Sequence, residues 1–312
     1  MEFKKDVKTF KSSNLKNTIQ YYIYYPNTEP IAIVQISHGM CEYIERYENF
    51  INFLLENSFI VCGNDHLGHG GSAESKDNYG YFSEKDGWIC LYEDLYKLTS
   101  IMKSEYPKLK YFMFGHSMGS FVLRAYLTKY SKSIDGAIIC GTSGGSSILD
   151  VGIFLAKVIR FFKGDRYRSK FIKKLSFMGY NKRYGKERTE LDWLTSDESV
   201  VDKALNDERY MFVFTVSAYI DMFTLLKYIS KADSLKDMRK DLPIFLVCGG
   251  MDPVGEYGKG VEKVYKELKS SSFSDVQLKI YENARHEILN ESIKGDVHRD
   301  LLQWIKKRLN YK

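Results

Sequence analysis

Residues 110–130 read KYFMFGHSMGSFVLRAYLTKY. A short apolar run at 111–114 leads into Gly115-His116-Ser117-Met118-Gly119. Apolar residues at helical spacing follow (Phe121, Val122, Ala125, Leu127). The pattern predicts strand, tight turn and helix, the context in which G-x-S-x-G presents a nucleophile. Ser117 must occupy a strained turn, and side chains at 115 or 119 would crowd it. The helix N-terminus beyond it favours developing negative charge.

The same rhythm extends on both sides. Residues 19–25 alternate and predict a strand, paired with 7–10 across a turn at 12–14. Residues 31–37 (IAIVQIS) form a β-branched run suited to a strand buried on both faces. A helix is expected over 44–57, strands over 59–63 and 136–140, and a helix over 88–106. Later come strands at 243–248 and 276–281 and helices at 260–269 and 293–309. Strands alternating with helices predict an α/β fold, a mostly parallel sheet of about eight strands flanked by helices. Its strand C-termini then share one edge, where sites of this fold class sit. Residues 146–232 break the rhythm with helical runs only (148–163, 167–175, 198–205, 211–229). They read as a helical cap inserted into a catalytic domain made of residues 1–145 and 233–312.

A serine hydroxyl needs a base, and the base an orienting carboxylate. In this fold the chain order is Ser, acid, His. Only His286 and His298 follow Ser117. His286 falls in a turn-like stretch after the strand at 276–281, while His298 lies inside the last helix and is expected on its surface. Asp252 directly follows PIFLVCGGM, at a strand end and before Pro253. Asp221 and Asp233 fall in or near the insertion, at positions suited to surface or caps. The oxyanion needs backbone N–H donors. Met118 supplies one, and Met40, in the His38-Gly39-Met40 turn after the strand at 31–37, supplies the other. His38 comes too early in the chain to be the base and reads as a structural hydrogen-bonder. A second G-x-S-x-G, Gly141-Thr142-Ser143-Gly144-Gly145, lacks an immediate apolar helix and reads as a flexible connection into the insertion.

Bulk features exclude much else. A chain of 312 residues with 44% hydrophobic and 28% charged residues has the composition of a globular protein. No apolar leader is seen at 1–11, and no stretch reaches the roughly 18 uncharged apolar residues that span a bilayer. Five scattered cysteines without C-x-x-C argue against a disulfide framework and a zinc site. A cytoplasmic location is the resulting expectation. The loop Asn64-Asp65-His66-Leu67-Gly68-His69-Gly70-Gly71-Ser72 lacks P-loop spacing, and a close His pair without a third ligand is weak evidence for metal. No cofactor or metal is expected.

Taken together, HGMCEYIERY (38–47), DHLGHGGS (65–72), GHSMGS (115–120), PIFLVCGGMDPVG (243–255) and ENARHEILNE (282–291) resemble the α/β-hydrolase superfamily. Within it they look like the monoacylglycerol lipase and bacterial lysophospholipase branch, also described as serine aminopeptidase-like hydrolases. The resemblance implies Ser117 as nucleophile, Asp252 and His286 as its partners, and Met40 and Met118 as oxyanion donors. It also implies that Glu42 and Arg46 lie near a glycerol head group; as plain sequence they are an i,i+4 helix pair. A second His three positions beyond the catalytic one, present in some members, is Leu289 here. The implied function is a serine hydrolase that cleaves the carboxylic ester of a single-acyl-chain lipid, monoacylglycerol or lysophospholipid, through an acyl-enzyme. A short-chain carboxylesterase or an aminopeptidase with the same triad is the alternative, and a non-catalytic binding protein on this scaffold a further one.

The charge distribution adds a partner. The formal net charge is +6, but residues 157–188 hold twelve Lys/Arg and two acids, leaving the remaining chain at −4. This segment adjoins apolar residues at helical spacing (Ile148, Val151, Leu155, Val158, Ile159, Phe162). Two readings stand: peripheral contact with an anionic membrane, or a solvated cap face whose apolar side covers the acyl pocket. No nucleic-acid-binding motif accompanies the charge.

Overall fold

The computed structural model describes residues 3–146, 148–185 and 187–309. Eight strands form one sheet: β1 Lys4–Lys11, β2 Thr18–Tyr25, β3 Ala32–Ser37, β4 Phe59–Asn64, β5 Lys110–His116, β6 Gly136–Cys140, β7 Ile244–Gly249 and β8 Val276–Tyr281. Their order is β1-β2-β4-β3-β5-β6-β7-β8. β1 and β2 are antiparallel, as are β2 and β4, and every later pairing is parallel. This is the α/β sheet that the alternating pattern predicts.

The helices are α1 Glu48–Glu56, α2 Gly87–Glu105, α3 Met118–Tyr130, α4 Leu149–Lys163, α5 Lys170–Ser176, α6 Glu198–Leu205, α7 Val216–Ile229, α8 Lys259–Ser270 and α9 Lys294–Leu309. Side chains alternate across a strand, so a central strand feeds two cores. Tyr111 and Met113 of β5 join the cluster with α2, α3, α7 and α8. Phe112 and Phe114 join the opposite cluster with α1 and α9. Each fully buried ring of this kind contributes about 1.5–3 kcal/mol.

Three local expectations shift. The helix expected at 44–57 begins with a 3-10 turn, Ile44–Tyr47, before α1. The run at 211–229 becomes helical only at Val216, capped by the Thr215 hydroxyl. Phe212 and Phe214 stay outside the helix because their rings pack on His69. His298 is buried rather than on a helix surface: the face of α9 that carries it lies against Phe50 and Phe53 of α1. Burial, reinforced by Lys294, lowers its pKa to about 4.

Candidate functional site

Sheet register assembles the site. Ser37 pairs with Gly115, so the turn after β3 lies beside the turn after β5. His116 pairs with Cys140, whose carbonyl accepts the Ser117 N–H at 3.0 Å. Ser117 has φ 54° and ψ −122°, a left-handed conformation that costs a non-glycine residue about 1–3 kcal/mol. The motif glycines permit it. A Cβ at Gly119 would meet the Ser37 carbonyl at 2.0 Å, and one at Gly115 would meet the Gly119 carbonyl at 2.6 Å.

Asp252 and His286 arrive from the ends of β7 and β8. His286 Nδ1 lies 2.9 Å from Asp252 Oδ2, away from ideal hydrogen-bond direction, and both side chains are buried. Asp252 Oδ1 accepts the Val254 N–H at 2.8 Å, which fixes the carboxylate. A Cβ at Gly249 would collide with the Ala284 and Arg285 carbonyls at 2.1 Å, so this glycine lets the loop after β8 cross the end of β7. Gly141, the first glycine of the second G-x-S-x-G, lies under the imidazole: a Cβ there would sit 3.0 Å from His286 Cε1. The connection that follows is anchored rather than flexible. The buried Arg124 guanidinium of α3 donates to Thr142 Oγ1, the Ser143 carbonyl and the Ile229 carbonyl, holding both ends of the insertion. His286 Nε2 has no hydrogen-bond partner among the described residues.

The Met40 and Met118 N–H groups likewise take part in no hydrogen bond among the described residues. The turn carrying Met40 abuts Ser117, since a Cβ at Gly39 would be 3.2 Å from Ser117 Cβ. Three clustered histidines, their rings tilted or edge-on to one another, support that turn. His38 donates from Nδ1 to the Gly39 carbonyl and accepts the His66 N–H at Nε2. His69 accepts the Cys41 N–H at Nε2 and donates from Nδ1 to the Leu67 carbonyl. Burial lowers the pKa of all three, that of His69 to about 3, so they stay neutral hydrogen-bonders. The glycine-rich loop is held by the chain's own Asp65, whose carboxylate accepts the Gly71 and Ile44 N–H groups.

Glu42 and Arg46 do not form a helix pair. Glu42 is buried, and its Oε2 accepts the Gly39 N–H (2.9 Å) and the Tyr47 hydroxyl (2.6 Å), with His116 Nδ1 3.7 Å away. Burial alone would raise its pKa, but His116, Arg46 and Tyr47 pull it well below the carboxylate range. Arg46 lies 3.2 Å from Glu287 and stacks on Tyr210 at 4.0 Å. Both therefore bind the chain's own loops: Glu42 the turn before Met40, and Arg46 the loop after His286.

Two residues were invisible to sequence reasoning. Trp193, in the insertion, lays its ring 5.0 Å from the His286 ring. Glu291 accepts the Arg285 and Ser196 N–H groups, tying the His286 loop to the insertion. A lone Trp in a largely polar stretch is the one signal that could have found Trp193, and none marked Glu291. Asp221 is buried in α7, and its carboxylate faces the start of α2: a Cβ at Gly87 would meet Asp221 Oδ2 at 2.4 Å.

A mostly parallel sheet with a strained serine between β5 and α3 and an Asp–His pair after β7 and β8 defines the α/β-hydrolase fold. Residues 28–293 match the family described as serine aminopeptidase, S33, and the chain belongs to it. A monoacylglycerol lipase of Mycolicibacterium smegmatis is 24% identical over 93% of this chain and 94% of its own. The monoglyceride lipase of Rattus norvegicus is 23% identical over 91% and 85%. A crystal structure of a highly thermostable carboxyl esterase from Bacillus coagulans, in complex with glycerol, superposes with a TM-score of 0.92. It shares 30% identity and covers 98% of this chain and 99% of that one.

Proposed function

We propose that the chain is a serine hydrolase that cleaves the carboxylic ester of a lipid with one acyl chain, monoacylglycerol or lysophospholipid. The observation that carries this reading is the strained Ser117 turn beside a buried His286–Asp252 pair and two unengaged N–H groups. The family membership and the monoacylglycerol lipases among the relatives support the same reading.

Ser117 Oγ attacks the ester carbonyl carbon while His286 Nε2 takes its proton. Asp252 holds the imidazole tautomer and balances the imidazolium. The oxyanion is received by the Met40 and Met118 N–H groups. Collapse breaks the ester C–O bond, and His286 returns the proton to the leaving alcohol. Water then attacks the acyl-enzyme, His286 takes its proton, and fatty acid leaves as Ser117 is restored. The free Nε2 is compatible with this sequence, because catalytic hydrogen bonds often tighten only around substrate. Glu42 and Arg46 act as supports of the site in this reading.

Residues 146–232 serve as the cap, and its outer face as the contact with an anionic lipid surface. Phe161 and Phe162 of α4 are 83% and 75% exposed, and Phe154, Phe171 and Met178 of the same insertion are exposed too. Lys157, Lys163, Lys170 and Lys174 have no ion-pair partner among the described residues, whereas Lys173 pairs with Glu190. Each unpaired cation contributes ~1 kcal/mol near such a surface. No helix among the described residues is long and apolar enough to cross a membrane.

Labelling with a fluorophosphonate tests the nucleophile. Ser117→Ala is expected to abolish labelling and lower kcat by about 10^4-fold or more, with Ser143→Ala unaffected; labelling that follows Ser143 instead refutes the assignment. Monoacylglycerol and lysophospholipid of matched chain test the substrate. Turnover confined to acyl groups of about 2–4 carbons favours the short-chain esterase.

A further inference from the structure

We infer that Trp193 is a positioning residue for the His286 imidazole, so that the inserted segment, and not the sheet alone, sets the geometry of the base. The inference rests on the proposed role of His286. The loop that carries His286 follows β8 and is neither strand nor helix around that residue. Loops without regular structure hold side chains loosely unless packing over-determines them.

The His116 ring of β5 lies 4.7 Å from the imidazole, and the rest of the packing comes from residues 192–196. Four successive carbonyls of the insertion receive donors from the catalytic loop. The Asp192 and Thr195 carbonyls accept from Arg285 Nη1, the Trp193 carbonyl from the His286 N–H (3.4 Å), and the Leu194 carbonyl from the Glu287 N–H (2.6 Å). Glu291 closes the seam by accepting the Ser196 N–H at 3.0 Å and the Ser196 hydroxyl. On this template the Trp193 ring lies 5.0 Å from the imidazole centroid, tilted by 40°. Phe177 stacks on the indole at 5.7 Å and Tyr180 meets it edge-on at 5.1 Å. The indole is buried and wedged, so it limits rotation of the imidazole away from Asp252. An aromatic ring beside it also favours the cation formed when the imidazole takes the Ser117 proton. Because this charge develops during reaction, the contact acts on the transition state more than on bound substrate.

The experiment compares wild type, Trp193→Ala and Trp193→Phe for kcat and KM on a monoacyl ester, with fluorophosphonate labelling rate and thermal midpoint alongside. Trp193→Ala is expected to lower kcat and the labelling rate by about 10- to 100-fold with KM within about two-fold, as a slightly misplaced base would. Trp193→Phe is expected to recover kcat to within about three-fold of wild type. If Trp193→Ala does not fold, Trp193→Leu, which keeps apolar bulk without a planar ring, takes its place with the same expected loss. A folded Ala or Leu variant with unchanged kcat, or with a change in KM alone, overturns the inference. Wild-type enzyme that fails to label at Ser117 overturns the proposed function itself, whereas labelling with no Trp193 effect leaves that function standing.

Discussion

Helix α4 and the segment 192–196 belong to one insertion between β6 and β7, yet their surroundings are opposite. Segment 192–196 is bonded to the loop carrying His286 through consecutive carbonyls and the buried Glu291. Helix α7, where the insertion returns, lies in the main core with α2 and α3. Helix α4 also packs on α7, with Ala156 buried, but turns Phe154, Phe161 and Phe162 outward. An insertion can therefore be half structural and half presented. Satisfied backbone groups and buried carboxylates mark the first half, and unpartnered rings beside unpaired lysines mark the second.

Breaking the seam is the harshest test of this contrast. Glu291→Ala leaves two backbone N–H groups and a hydroxyl without their acceptor in a nearly closed environment, and should destabilise the fold by about 3 kcal/mol. Urea unfolding checks it; a loss below about 0.5 kcal/mol would mean the seam contributes little.

A pH experiment sharpens the α7 side. Burial pushes Asp221 up to about 7, against the opposing N–H donors of Trp88 and Gly87. The unfolded value is about 3.9, so between those limits the folded chain holds more protons than the unfolded one. Its contribution to stability is fully present below about pH 4 and is lost as pH rises through about 7, with a slope of at most about 1.4 kcal/mol per pH unit. Asp221→Asn should flatten that decline. Unfolding free energies at several pH values from 5 to 8 check it, and equal slopes in both proteins would rule it out.

The gentlest change concerns the presented half. Replacing Phe161 and Phe162 together by Ser should leave stability within about 0.5 kcal/mol, because the rings touch mostly solvent. Sedimentation with anionic vesicles should show weaker binding, more so when Lys170 and Lys174 are reversed to Glu at low salt. Marked destabilisation would mean that the outer face of α4 is packed in solution, and the contrast between the two halves would disappear.

Much of the fold was legible because its signals are local. Strands β3 to β8 appear as short apolar runs, and the turn at Ser117 is written in two glycines that a Cβ could not replace. That Asp252 and His286 meet was legible because strand ends position both. Other features depend on distant partners. Glu42 reads as half of a helix pair with Arg46, but its carboxylate turns back to Gly39 while Arg46 meets Glu287. His298 sits on a helix whose polar sequence suggested exposure, and only the approach of α1 buried it.

What the sequence determined by itself is the order of strands and helices and the chemistry placed at strand ends, since both follow from short-range periodicity and turn sterics. What only the tertiary structure decided is which side chains hold that chemistry in place. Trp193 reaches His286 across 93 positions and Arg46 reaches Glu287 across 241. No periodicity records such meetings, because they arise when separate elements pack and their buried polar groups find partners.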